Sequence, residues 1–113
     1  MKFSVSILSQ ARRDIDRNAA WWAEHHSTEE GLRWSDAVYD QIATLDEFPH
    51  SHGLSAENDD FPYEIRDKLL GLGSRRSYRA VFTIKDDTVF VLTIRHSAQD
   101  VVRPSDVESP PSE

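Results

Sequence analysis

Three cationic side chains stand out by type and position: Arg66, Arg79 and His96. Arginine presents a planar fork of donors that suits a phosphate or a carboxylate. Histidine moves a proton near neutral pH. Together they hold the parts for cutting RNA. A base activates the 2′-hydroxyl, a cation stabilises the phosphorane and an acid protonates the leaving oxygen. The plainer alternative pairs Arg79 with Asp67 or Asp100 at a strand end and leaves His96 in a local hydrogen bond. On the residues alone, both readings stay open.

Other chemistry-bearing groups carry less. His25 and His26 are adjacent at a helix end, where neighbouring side chains diverge, so a shared metal is not expected. His50-Ser51-His52 offers two ligands and lacks the further ligands and supporting shell a metal needs. Gly71-Leu72-Gly73 is too short for a phosphate-binding loop. Trp21, Trp22 and Trp34 read as core and helix-packing residues. The chain has no cysteine, which removes disulfides and thiolate chemistry. No cofactor and no metal are expected.

Charge narrows the partners. The 113 residues carry a net charge of −7. Residues 10–48 hold four arginines against nine acids, giving −5, whereas residues 63–79 hold five cations against two acids, giving +3. The overall sign argues against non-specific nucleic-acid binding and leaves a local basic site open. No apolar run approaches the length of a membrane span. The first residues alternate polar and apolar, a strand pattern rather than a secretory signal. A cytoplasmic, soluble protein is expected.

The elements that must position these groups follow from pattern. Residues 3–8 read as a strand. Ser9 caps a helix running to about His26, with Ala11, Ile15, Ala19 and Trp22 on one face. Ser27 and Glu30 form a capping-box pattern for a second helix whose face is Trp34, Val38, Ile42 and Leu45, stopped by Pro49. Residues 49–62 read as a loop. Strands over 63–70, 78–84 and 89–96 follow. The expected fold is α+β, in the order β-α-α-β-β-β, with a helical hairpin on one face of a small, mainly antiparallel sheet. Residues 1–103 form one domain and 104–113 a mobile tail.

A turn at Asp86-Asp87 sets the hairpin register. Ile84 then faces Val89 and Phe82 faces Val91. One face carries Tyr78, Ala80, Phe82, Ile84, Val89, Val91 and Thr93. The other carries Arg79, Val81, Thr83, Phe90, Leu92, Ile94 and His96. Arg79 falls opposite Ile94, with His96 as its diagonal neighbour. A one-residue slip would separate them. The helices cover only the first face, so Val81, Leu92 and Ile94 are expected to be less buried than Phe82 and Val91. An apolar strip rimmed by cations suggests a protein partner, here an acidic and apolar peptide. The alternative cover is loop 49–62 or the C-terminal segment.

Four stretches together resemble the RelE/ParE toxin superfamily of type II toxin–antitoxin, or plasmid stabilisation, systems. They are Ala11…Asp14-Ile15, Ala37…Ile42…Leu45…Pro49, Tyr78-Arg79-Ala80-Val81-Phe82 and Ile94-Arg95-His96-Ser97-Ala98-Gln99-Asp100. The resemblance implies a cognate antitoxin that wraps the toxin. It also implies one of two targets: ribosome-bound mRNA, cleaved by RelE-like members, or DNA gyrase, inhibited without nuclease chemistry by ParE-like members. In the RelE-like pattern the active-site positions correspond to Arg66, Arg79 and His96. A tyrosine after the last strand, frequent in the nucleases, has no counterpart, and the chain is acidic where those enzymes are usually basic. Both departures lean toward the ParE-like side. A non-catalytic binding module, or a degenerate toxin that only binds its partner, is the alternative class.

Overall fold

The computed structural model describes residues 2–74, 76–97 and 100–111. Strand β1 (Ser4–Ile7) leads into helix α1 (Ser9–His25) and helix α2 (Thr28–Ala43). Strands β2 (Arg66–Leu70), β3 (Tyr78–Lys85) and β4 (Thr88–His96) complete the sheet. The sheet order is β1-β4-β3-β2. β1 runs parallel to β4 and the other pairs are antiparallel. The expected α+β hairpin-on-sheet fold is what forms. No described helix is long and apolar enough to cross a membrane.

Local chemistry places the helices. Ser27 Oγ accepts the Glu30 amide at 3.1 Å and starts α2 as its sequence predicts. Ser9 is the first residue of α1 rather than its cap. The cap comes from far along the chain: Glu108 accepts from Ser9 Oγ at 2.5 Å and from the Gln10 amide at 3.0 Å. A carboxylate there also complements the helix dipole. α2 ends at Ala43, before Pro49, and the chain continues as a short 3-10 turn over Thr44–Asp46. Gly31 lets the helices touch, because a Cβ at that position would lie 2.8 Å from the Ala19 carbonyl oxygen.

The strand register holds from Lys85↔Thr88 to Phe82↔Val91 and then shifts. Val81 pairs with Thr93, so Leu92 is an extra residue in β4, a β-bulge. Beyond it the faces exchange. Ala80 pairs with Ile94, Arg79 with Arg95 and Tyr78 with His96. Ile94 therefore joins the core under the helices with Phe82, Val91, Ile15, Trp34 and Ile42. β1 pairs with β4 only as far as Val91, and Asp14 of α1 takes over where it stops. This buried carboxylate accepts the Ile94 amide at 3.1 Å and the Thr93 hydroxyl at 2.5 Å.

The opposite sheet face is also covered. Val81 and Leu92 pack with Phe61, Ile65 and Val102, and Phe90 and Val107 lie against them. Val81, Leu92 and Ile94 are as fully buried as Phe82 and Val91, which overturns the expected difference. The loop after α2 and the C-terminal segment supply the cover together. The apolar strip is therefore not free for a peptide partner in this structure.

The tail expected to be mobile spans 104–113; residues 112 and 113 lie outside the described residues, and residues 104–111 make specific contacts with the domain. Besides Glu108, Asp106 lies 3.7 Å from Arg95, and Lys85 Nζ donates to the Pro111 carbonyl at 2.9 Å.

Candidate functional site

Arg79 lies between Leu69 and Arg95 across the sheet, on the face away from the helices. Its guanidinium is enclosed. Nη1 donates to Glu57 Oε1 at 3.0 Å and Nη2 to Glu57 Oε2 at 2.5 Å. Nη1 also reaches both oxygens of Asp67, at 3.2 and 3.1 Å. Nη2 donates as well to the Asp100 carbonyl at 2.9 Å. The Glu57 carboxylate in turn accepts the Val102 amide at 2.9 Å. The Arg79 and Glu57 side chains are only 6% and 9% exposed.

The surrounding loop is built to deliver Glu57. The Ser55 amide donates to the Ile65 carbonyl at 2.8 Å, and the Ile65 amide donates to Asn58 Oδ1 at 2.8 Å. Ser55 Oγ also donates to Asp67. These bonds close the loop over β2 and aim Glu57 at β3. The hydrogen bond from Arg79 holds the Glu57 carboxyl below its ordinary range against the opposing effect of burial. Burial works against the Arg79 charge, but the bonds and charges of Glu57 and Asp67 outweigh it and hold its pKa above the usual value.

Beside the pair is a cavity of about 230 Å³ lined by Glu57, Asp67, Asp100, Arg79, Ser97 and Ala56. Two carboxylates and a carbonyl against one guanidinium, itself already bonded, make a poor phosphate site.

The other two expected site residues lie elsewhere. Arg66 pairs with Phe82, on the face that carries the helices. It donates to the carbonyls of His52 at 2.6 Å and His50 at 3.3 Å, and to Glu64 at 3.1 Å. His96 is exposed on that same face, with its ring edge-on to Tyr78 at 5.1 Å. The bulge at Leu92 thus separates His96 from Arg79, and the structure does not bring Arg66, Arg79 and His96 together.

The Asp67 pairing was visible in the sequence. Asp100 contributes its carbonyl to Arg79, and its carboxylate accepts the His96 amide at 3.4 Å. Glu57 was missed. An arginine in an apolar strand calls for a buried carboxylate, but nothing marks which of the loop acids supplies it.

Trp34 is buried as expected. Trp21 is 46% exposed and stacks on His25, with ring centroids 4.3 Å apart. Among the described residues no group of three His, Cys, Asp or Glu side chains is placed to hold a metal ion.

Residues 5–101 match the sequence model of the family described as "ParE toxin of type II toxin-antitoxin system, parDE". The chain belongs to the ParE toxin family. As a ParE-family toxin it is one half of a toxin–antitoxin system, and its partner is a cognate antitoxin. A solved structure, "Chromosomal ParDE TA system from P. aeruginosa", superposes with a TM-score of 0.69 at 19% identity, over 84% of this chain and 96% of that one. At that identity the likeness establishes the shared fold. No curated protein sequence matches the chain.

Proposed function

We propose that this ParE-family toxin arrests growth by binding DNA gyrase and carries out no RNA chemistry. The observation that carries the reading is the enclosure of Arg79. Its Nη atoms are bonded to Glu57, Asp67 and the Asp100 carbonyl. An arginine so paired has no free fork for a scissile phosphate. Stripping it of Glu57 would leave a buried carboxylate unpaired, at about 3–5 kcal/mol. Arg66 is spent on backbone carbonyls, and His96 opens to the other sheet face. The three groups lack the mutual geometry that general acid–base cleavage requires.

RNA cleavage at Arg79 would require the loop holding Glu57 and the segment holding Asp100 to leave first. The test is induction of the wild-type protein in cells, with mRNA ends mapped on translating ribosomes. Growth arrest with DNA-damage signalling and intact mRNA is expected. New ends inside coding regions would assign the toxin to mRNA cleavage. No growth arrest at all would return the chain to the class of pure binding modules.

A further inference from the structure

Residues 102–111 cross the outer sheet face without joining the sheet. Among the described residues their backbone-to-backbone hydrogen bonds stay local, from the Asp106 amide to the Arg103 carbonyl and from the Val107 amide to the Pro104 carbonyl. Bonds to the domain run through a side chain on one partner. Glu57 accepts the Val102 amide, Glu108 accepts from Ser9 Oγ and the Gln10 amide, and Lys85 donates to the Pro111 carbonyl. Pro104, Pro110 and Pro111 lack the N–H that a ladder needs.

The segment sits as a bound peptide sits. Val102 is buried among Phe61, Ile65, Val81 and Leu92, and Val107 packs against the same cluster. The acids on either side of Val107 meet positive groups. Asp106 lies 3.7 Å from Arg95, and Glu108 caps α1. This is the acidic and apolar peptide that the sheet face calls for, supplied by the chain itself.

The fastening is local and light. Val107 and Pro110 are half-buried, and the rest of 103–111 is exposed. Ser109 and Pro110 line a cleft of about 390 Å³ with Tyr63, Thr83 and Lys85, so packing is incomplete at that end. The core under the helices shares no residue with the cluster under the segment. Residues 5–101 carry the family match, and the segment starts just beyond them. Few apolar contacts and exposed hydrogen bonds mark a unit that opens well below the cost of global unfolding.

We propose that residues 102–111 are a detachable strap, a self-ligand that lifts as a unit from a peptide groove while sheet and helices stay folded. Lifting bares Val81, Phe90 and Leu92 beside Arg95, and it frees the Glu57 carboxylate from the Val102 amide. The open groove takes a peptide of the strap's own chemistry: two valines five positions apart, with acids flanking the second. The strap works in this way whichever target the toxin binds.

The test uses purified full-length toxin and amide hydrogen exchange. The Gln10 and Val102 amides report the strap, and the amides paired between β3 and β4 report the sheet. Raising salt from about 0.05 to about 0.5 M should speed exchange at the first pair alone, because the ionic anchors are screened. Asp106→Asn with Glu108→Gln, and separately Val107→Asp, should speed it by about tenfold or more at low salt, again with the sheet unchanged. A labelled peptide with the sequence of residues 102–111 should then bind both variants about tenfold or more tighter than wild type, whose tethered strap competes at an effective concentration on the order of mM. Strap and sheet amides that exchange together at every salt concentration would overturn the proposal by making the segment part of the core. Absence of peptide binding to both variants would overturn the groove. Equal binding by a peptide carrying Val107→Asp would do the same, since charge alone would then explain it. If the variants fail to fold, the wild-type salt series decides.

Discussion

Glu57 grips Arg79 through two hydrogen bonds, and the same carboxylate holds the Val102 amide. One buried ion pair thus ties a loop, a central strand and the C-terminal segment together.

Arg79→Ala should destabilise the fold by about 3–5 kcal/mol, because Glu57 is left buried without its partner. Against a typical total of about 5–15 kcal/mol, that is a large fraction. Urea denaturation of wild type and variant measures it. Loss of toxicity in Arg79→Ala would then report lost structure. A variant within about 1 kcal/mol of wild type, yet inactive, would return Arg79 to direct chemistry.

Acid should loosen the same pair. The folded Glu57 pKa lies below the unfolded value of 4.5, so its contribution is complete above 4.5 and is lost as pH falls through the folded value. His52 acts in the same direction from higher pH. Its folded pKa lies below 6.5, so stability falls as pH drops from 6.5 through the folded value. Melting temperature should therefore decline in two stages from neutral pH downward. Glu57→Gln should flatten the lower stage and His52→Asn the upper one. A Glu57→Gln profile parallel to wild type below 4.5 would contradict the assignment.

The sequence made much of this fold legible. Apolar spacing in both helices and the Asp86-Asp87 turn placed the hairpin and its first pairs, from Lys85↔Thr88 to Phe82↔Val91. The bulge at Leu92 was not legible. No glycine marks it within Val91-Leu92-Thr93-Ile94, and it alone reverses the faces of Ile94 and His96. Two apolar sheet faces announced that a second cover was needed. That Val102 and Val107 would supply part of it was hidden in a tail dominated by Pro, Ser and acids. Its anchors, such as Glu108 on Ser9, join residues almost a whole chain apart. The Glu57–Arg79 pair escaped notice for the same reason, since its two halves come from segments that only the folded chain brings together.

Gly31→Ala should cost about 1–3 kcal/mol, because the new Cβ meets the Ala19 carbonyl and Ala23, and backbone there cannot move aside freely. Denaturant unfolding measures the loss. Stabilisation, the usual result of Gly→Ala within an exposed helix, would mean that α1 and α2 sit farther apart than described.

The central claim is that the toxin acts by binding gyrase, with Arg79 serving structure. Supercoiling of relaxed plasmid by purified gyrase, with and without excess full-length toxin, tests it most directly. The account predicts that supercoiling slows as toxin is added. Supercoiling at an unchanged rate with wild-type toxin in excess would contradict it.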